Sequence, residues 1–190
     1  MGAEVQDGDV LIAIESNGIH SNGLSLARDV LFKRNHCDVQ ASLPELDGSL
    51  GEELLKPTHI YVREVVDLFR QGASIRALMH LTGDGFLNLK RVAAEVGWDI
   101  EYLPANPPIF SLIQELGDIP SEEMFRVFNM GIGFCLVVPP SEADAVIATI
   151  AAHGKTAYKI GRALPDADRR IKIRPAGLVS QGKLFKKAVS

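Results

Sequence analysis

Short apolar runs of strand length alternate with segments of helical apolar spacing along most of this chain of 190 residues. The run 10–14 is almost continuously apolar, which indicates a strand that is buried on both faces. The segment 142–152 has helical spacing and lies between two further apolar runs. Strands and helices that alternate in this way predict a layered α/β domain, in which helices cover a sheet.

Apolar spacing and chain breakers divide the sequence into predicted elements. The segments 133–138, 142–152, 156–162 and 169–173 form a β-α-β-β run that is typical of part of a split ferredoxin-like arrangement. The stretch 33–51 is predicted to be irregular, and the basic residues near the end to lie on a solvated surface and tail. The other predicted strands are 10–14, 75–81 and 99–102, and the other predicted helices are 24–32, 58–70, 86–95, 109–116 and 121–128.

The length and composition suit one globular domain, and we predict a single domain that spans residues 1–190. The 20 basic and 24 acidic side chains give a net charge of -4. This balance argues against a general nucleic-acid binder, because such proteins present a basic surface to phosphates. The first predicted strand begins within 10 residues of Met1. We interpret this early start as the sign of a fragment, a split gene or an expressed piece of a longer protein.

The sequence also narrows the cellular compartment. Acidic residues at positions 4, 7 and 9 occupy the place where a signal peptide would need an apolar segment. No run approaches the roughly 18 apolar residues of a membrane-spanning helix. Cys37 and Cys135 lie far apart and outside any CxxC pattern, which fits a reducing compartment. We therefore expect a cytoplasmic protein that binds no membrane.

The strongest local signal is the sequence SNGIHSNG at 16–23, between a predicted buried strand and a predicted helix. A polar, glycine-containing loop that leads into a helix N-terminus offers free backbone N–H groups to an anion such as phosphate. Ser21 and Asn22 can add side-chain donors, whereas Gly18 and Gly23 allow the backbone to approach a ligand closely. The alternative is a tight turn with Ser21 or Asn22 as the helix N-cap and no ligand.

Two further loops carry candidate residues. The sequence HLTGDG at 80–85 follows a predicted strand, so His80 could transfer a proton and Asp84 could bind a metal or act as a base. A hydrogen-bonded histidine without a catalytic role is the alternative. Asn129, in FNMGIG at 128–133, could bond a ligand or hold its own loop. The five histidines show no zinc spacing, and neither a P-loop nor a GxSxG motif is present, so we predict no metal site.

Taken together, these segments resemble the C-terminal domain of the aminoimidazole ribonucleotide synthetases, the phosphoribosylformylglycinamidine cyclo-ligases. The order and spacing of the matching motifs are specific, and they cover about the first 160 residues. The matching motifs are GDVLI at 8–12, SNGIHSNG at 16–23, SLAR at 25–28, LGEELLKPTHIYV at 50–62, HLTG at 80–83, PPIF at 107–110 and EEMFRVFNMGIG at 122–133.

The resemblance implies a three-layer α/β/α sandwich around a mixed sheet, an α/β (α+β) fold that follows a separate N-terminal domain. It implies an ATP-dependent ring closure of formylglycinamidine ribonucleotide in purine synthesis, with ATP and Mg²⁺ bound mainly by the N-terminal domain. This chain alone is then expected to be inactive, and the complete enzyme to be a homodimer. The residues expected to hold the substrate are Gly18, His20, Ser21, Asn22, Gly23, Thr82, Gly83 and Asn129, and His20 and His80 are the candidates for catalysis.

Two departures from the family pattern leave other functions open. Asp84 stands where the family commonly has a third glycine, and the Pro-Glu-Asn run that often follows is shortened to 86–88. Both departures are compatible with a related ATP-using enzyme of the same superfamily. A non-catalytic module that binds a phosphorylated metabolite or a protein partner is the alternative from another class. An enzyme half predicts an exposed apolar face, whereas a self-sufficient binding module predicts a polar surface.

Overall fold

A computed structural model describes residues 2–188 of the chain, with eight strands and six α-helices in that range. The strands are β1 (Val10–Glu15), β2 (Ala77–His80), β3 (Val96–Ile100), β4 (Ile132–Val138), β5 (Ala157–Pro165), β6 (Ile171–Ile173), β7 (Leu178–Gln181) and β8 (Leu184–Lys187). The helices are α1 (Leu24–Arg28), α2 (Leu50–Leu54), α3 (Val62–Arg70), α4 (Pro108–Gly117), α5 (Ser121–Val127) and α6 (Ala143–Ala152). A π-helical segment, Asp29–Arg34, continues α1, and short 3₁₀ turns lie at Gly85–Arg91, Pro140–Glu142 and Arg174–Ala176.

All the strands join one sheet in the order β2-β4-β1-β5-β3-β6-β7-β8. Neighbouring strands are antiparallel except β3 and β6, which are parallel, so the predicted mixed sheet is confirmed. Strands β4 and β5 flank β1, and α6 connects them. Since both are antiparallel to β1, they run parallel to each other. This is the split β-α-β unit that the ferredoxin-like part of the prediction requires.

Alternate side chains of β1 enter two different cores, because successive residues of a strand point to opposite faces. Leu11 and Ala13 pack in the larger core with residues of α1, α4 and α5. Ile12 and Ile14 pack in the smaller core with residues of α3 and α6. Helices therefore cover both faces of the sheet, and the three-layer arrangement is confirmed.

The structure corrects several predicted elements. The predicted helix 86–95 is the 3₁₀ turn Gly85–Arg91, and β3 begins at Val96 rather than at residue 99. The Asn88 side-chain amide donates to the Gly85 carbonyl at 2.7 Å and to the Thr82 carbonyl at 3.4 Å, which competes with regular helical bonding. The predicted helix 58–70 begins only at Val62.

Three elements lie where the sequence predicts none. Helix α2 occupies the end of the stretch predicted to be irregular, and a capping box between Ser49 and Glu52 stabilises its first turn. Strands β7 and β8 form a hairpin in the predicted tail, with Phe185 buried against the larger core. In the part of the chain that the structure describes, none of the helices is long and apolar enough to cross a membrane.

Gly23 is the residue at which the site loop depends most on the absence of a side chain. Neither Ser21 nor Asn22 caps α1; the N-cap is Gly23, in the left-handed conformation with φ of 75°. A Cβ atom at Gly23 would lie 2.2 Å from the ring of Phe128. The loop therefore turns into α1 by packing glycine against an aromatic ring rather than by a side-chain cap.

We expect Gly23→Ala to lower the free energy of unfolding by about 3 kcal/mol, because backbone strain and the clash with Phe128 add together. Gly154→Ala is the matched control, because Gly154 has φ of 74° and a Cβ there would meet nothing within 4 Å. The control should cost about 1 kcal/mol, from backbone strain alone. Urea unfolding of both variants measures the difference, and equal losses would contradict the packing argument.

Candidate functional site

The three polar segments singled out in the sequence meet at one edge of the sheet. Strands β1 and β2 are both antiparallel to β4, so they run in the same direction. The last residue of β1, Glu15, pairs with Ile132 at the start of β4, and the last residue of β2, His80, pairs with Phe134. The loops after β1 and β2 and the loop before β4 therefore lie together, as expected for a ligand site at strand ends.

The buried side chain of Asn129 joins two of these loops. Its Oδ1 accepts a hydrogen bond from the Ser16 hydroxyl at 2.8 Å and from the Gly131 backbone at 2.9 Å. Its Nδ2 donates to the Gly18 carbonyl at 2.9 Å. Asn129 is only 1% exposed, so these bonds are shielded from water. The bond from Gly131 holds the loop of Asn129 itself, which is one of the two roles that its sequence position suggested. The bonds with Ser16 and Gly18 also fasten the loop after β1 to the start of β4, which the sequence did not suggest.

His20 is the most unusual residue of the site. It is 4% exposed, and its backbone has φ of 56°, a left-handed conformation that is rare outside glycine. Its Nε2 lies 3.1 Å from Asn17 Oδ1, whereas its Nδ1 is buried without a hydrogen-bond partner in residues 2–188. Burial, with smaller contributions from His59 and His80, lowers the pKa of His20 to about 4. The imidazole is therefore neutral at neutral pH.

An aromatic cluster surrounds His20. The rings of His59, Tyr61 and His80 have their centroids 6.0 to 6.4 Å from that of His20. Phe134 stacks on Tyr61 at 5.2 Å. The sequence reasoning assigned no role to His59 or Tyr61, although both stand in the matched motif at 50–62. Their position depends on chain folding that local patterns do not show.

Tyr61 is held by the main chain of β1. Its hydroxyl donates to the Glu15 carbonyl at 2.8 Å, and burial raises its pKa far above the ordinary tyrosine range. A Cβ at Gly133 would lie 2.0 Å from that hydroxyl and 2.7 Å from His20 Cε1. Gly133 thus provides the space in which the His20 and Tyr61 rings pack over β4.

Most of the remaining predicted residues lie at or near the surface of this edge, whereas Gly18 is buried. Ser21 is exposed, and its hydroxyl is 3.3 Å from that of Thr58. Asn22 reaches towards Gly83, where a Cβ would lie 3.6 Å from Asn22 Oδ1. The Thr82 hydroxyl is 3.3 Å from Asn88 Oδ1. A cavity of about 260 Å³ runs along β2 beside His80 and Thr82.

Two further expectations meet the structure here. Helix α1 has five residues and continues into the π-helical segment Asp29–Arg34, and glycine rather than a polar side chain stands at its N-cap. Asp84 forms an ion pair with Arg91 at 2.8 Å, on the surface. Among residues 2–188, no group of three or more His, Cys, Asp or Glu side chains could hold a metal ion. The described residues therefore do not by themselves fit a Mg²⁺ site.

The chain is similar in sequence to known proteins of one family. The sequence model of the family described as "AIR synthase related protein, C-terminal domain" matches residues 6–174. The phosphoribosylformylglycinamidine cyclo-ligase of Methanobrevibacter smithii is 48% identical over 149 residues, which are 78% of this chain and 44% of that protein. The cyclo-ligase of Methanocaldococcus jannaschii is 45% identical over 162 residues, 85% of this chain and 46% of that protein. The chain thus spans about half the length of these curated relatives.

Solved structures share the fold at low sequence identity. The hydrogenase maturation protein HypE in complex with ATP has a TM-score of 0.62 and 16% identity, covering 100% of this chain and 53% of that one. PurL of T. maritima complexed with FGAR has a TM-score of 0.51 and 15% identity, covering 90% of this chain and 26% of that one. At these identities the likeness concerns the fold alone.

The lowered pKa of His20 predicts a pH dependence of stability. The pKa of His20 is 6.5 in the unfolded chain and about 4 in the folded chain. Between these values the unfolded chain binds a proton at His20 and the folded chain does not, so the free energy of unfolding falls as the pH drops from 6.5 to about 4. We expect the free energy of unfolding of His20→Asn to fall by roughly 2 kcal/mol less than that of the unaltered chain between pH 6.5 and 4. His80, whose pKa is also lowered by burial, leaves part of the slope in place.

Urea unfolding at several pH values measures this slope. His36→Asn is the matched control, because His36 is exposed and also has a left-handed backbone, with φ of 51°. Asparagine tolerates that conformation at both positions, so the two variants differ mainly in the burial of the ring that they remove. The same slope in both variants would show that His20 is protonated as easily as an exposed histidine.

Proposed function

The chain belongs to the family of AIR synthase related C-terminal domains, and from this membership we propose that it is the substrate-binding and cleft-closing half of a cyclo-ligase. The reaction proposed for the complete enzyme is the ATP-dependent conversion of formylglycinamidine ribonucleotide to aminoimidazole ribonucleotide. The meeting of three polar loops at one sheet edge, two of them joined by Asn129, is the observation that carries this proposal. The identity of 48% to a curated cyclo-ligase supports the choice of reaction.

Within this function the residues of the chain bind and orient the substrate. We assign ligand contacts to Ser21, Asn22 and Thr82, whose polar groups lie at the accessible side of the site. Exposed Gly83 allows the backbone to approach the ligand. Gly18 and Gly23 shape the loop that carries Ser21 and Asn22, and Asn129 fixes that loop from beneath. His20 and His80 remain the candidates for proton transfer. Catalysis of this type relies mainly on positioning and on stabilising phosphoryl charge.

ATP and Mg²⁺ belong, in this proposal, to the other half of the enzyme. The described residues offer no carboxylate cluster for a metal ion, so we assign no step through the ion to this chain. The free thiols of Cys37 and Cys135 support a cytoplasmic location. A homodimer of the complete enzyme stays a prediction.

A chimera tests the proposed activity. The matching C-terminal part of the Methanobrevibacter smithii cyclo-ligase is replaced by this chain, and ATP-dependent formation of aminoimidazole ribonucleotide is measured. We expect the chimera to be active and the chain alone to be inactive. Ser21→Ala and Asn22→Ala should each raise the KM for the ribonucleotide roughly tenfold, because each removes a hydrogen bond to a charged or polar ligand.

Exposed Ser25→Ala, in α1 of the same segment, is the control and should leave KM unchanged. A chimera that folds, as judged by circular dichroism, but forms no product would contradict the cyclo-ligase assignment. If the chimera is active and neither loop variant changes its KM, the proposed reaction stands. The assignment of the loop to substrate binding would then be wrong.

The exposed apolar side chains of α3 support the proposal that the N-terminal half of the enzyme packs against this chain. Val62, Val66 and Phe69 are 62%, 39% and 55% exposed. Ile60, just before the helix, is 73% exposed. Their spacing places Val62, Val66 and Phe69 on one side of α3. This surface adjoins the aromatic cluster at Tyr61, so we propose that the N-terminal half of the enzyme covers it.

Calorimetry of the chimera tests this docking surface. We expect the double variant Val62→Asp with Val66→Asp to split a single unfolding transition into two, because charges would be buried between the halves. The control is Leu184→Asp, since Leu184 is 55% exposed on the β8 hairpin, away from α3. An unchanged transition in the double variant would show that the partner half does not cover α3.

A further inference from the structure

Asn17 lies in the loop SNGIHSNG, where sequence patterns assign its side chain no role of its own, and in the structure it joins Pro57 to His20. Its Nδ2 donates to the Pro57 carbonyl at 2.9 Å. A carbonyl can only accept, so this bond fixes which end of the Asn17 amide faces Pro57. The other end, Oδ1, is therefore an acceptor directed at His20 Nε2, 3.1 Å away.

This contact decides the position of the proton on His20. A hydrogen bond from Nε2 to an amide oxygen requires the proton to be on Nε2. Since the burial-lowered pKa keeps the ring neutral, Nδ1 then carries a lone pair. The His59 backbone N–H also approaches Nε2, but at 3.5 Å, the limit of a hydrogen bond. The shorter contact with Asn17 determines the tautomer.

The lone pair on Nδ1 is costly in the structure as it stands. Nδ1 is buried and has no hydrogen-bond partner within residues 2–188, and an unsatisfied buried polar atom destabilises the folded state. The left-handed backbone of the same residue adds strain. Strain of this kind, held by surrounding contacts, is concentrated at functional sites.

The groups that face His20 do not relieve this cost. The titratable side chains around the ring are His59, Tyr61 and His80. The Tyr61 hydroxyl donates its proton to the Glu15 carbonyl and so cannot donate to His20. The Nδ1 of His59 is itself buried without a partner. The ring cluster therefore contains two buried ring nitrogens without hydrogen-bond partners in residues 2–188, and that of His20 is an acceptor.

We propose that Asn17 is a positioning residue that fixes the proton of His20 on Nε2, so that Nδ1 accepts a hydrogen bond from an N–H or O–H donor of the ligand. The proposal rests on the proposed function, in which the ligand is a ribonucleotide with amidine N–H groups. A fixed acceptor distinguishes such donors from phosphate or carbonyl oxygens, which its lone pair repels. His20 thus serves the nitrogen end of the ligand, whereas Ser21 and Asn22 serve its oxygen atoms.

Nitrogen-15 NMR of the histidine rings in the chain alone tests the tautomer directly. We expect His20 to show a protonated Nε2 and an unprotonated Nδ1 at neutral pH. Asn17→Leu, which keeps the size but removes the acceptor, should convert His20 to a mixture of tautomers. Asn17→Asp keeps an acceptor and should restore the single tautomer, with a raised pKa because of the carboxylate. Asn22→Leu, in the same loop, should leave the tautomer unchanged.

Kinetics of the active chimera test the consequence. We expect Asn17→Leu to lower kcat/KM for the ribonucleotide roughly tenfold, the effect of about one hydrogen bond, and Asn17→Asp to be less impaired at pH values where His20 is neutral. A proton on Nδ1 of His20 in the unaltered chain would overturn the proposal, and so would an unchanged His20 tautomer in Asn17→Leu. Because the NMR needs neither ATP nor the second half, failure of the cyclo-ligase assignment would be seen separately, as an inactive chimera.

Discussion

The side-chain amide of Asn129 is the interaction on which the site depends. One buried group satisfies the Ser16 hydroxyl, the Gly18 carbonyl and the Gly131 N–H, and it thereby joins segments more than 100 residues apart in the chain. Removal of such a group leaves several buried polar atoms without partners at once. The rigid loop that results can hold His20 in a backbone conformation that an unsupported loop would abandon.

The sheet brings the loop after β2 next to the loop that Asn129 holds. Because β1 and β2 are both antiparallel to β4, their ends meet at the start of β4, and Asn22 comes close to Gly83. Gly133 leaves room over β4 for the rings of His20 and Tyr61. The layered fold therefore supplies polar groups at the surface of the site and a buried, neutral imidazole beneath them.

Much of the fold could be predicted from the sequence, because β1, β4, α4 and α6 carry long apolar patterns of one period. The β7–β8 hairpin was not predicted, since Phe185 is the single buried side chain of β8 and no alternating apolar pattern marks the strand. Among the site residues, the polar loops were visible locally, and the family resemblance gave them a role. The roles of Asn17 and Tyr61 could not be predicted from the sequence, because these side chains bond Pro57 and Glu15, which only the folded chain brings close to them.

The central claim is that the loops after β1 and β2 hold one ribonucleotide together. An NMR titration of the labelled chain within the active chimera, with formylglycinamidine ribonucleotide as the ligand, tests this claim most directly. The account predicts that the backbone amides of His20, Ser21, Asn22 and Gly83 shift together, with one dissociation constant. Shifts confined to the β7–β8 hairpin, or shifts in only one of the two loops, would contradict it.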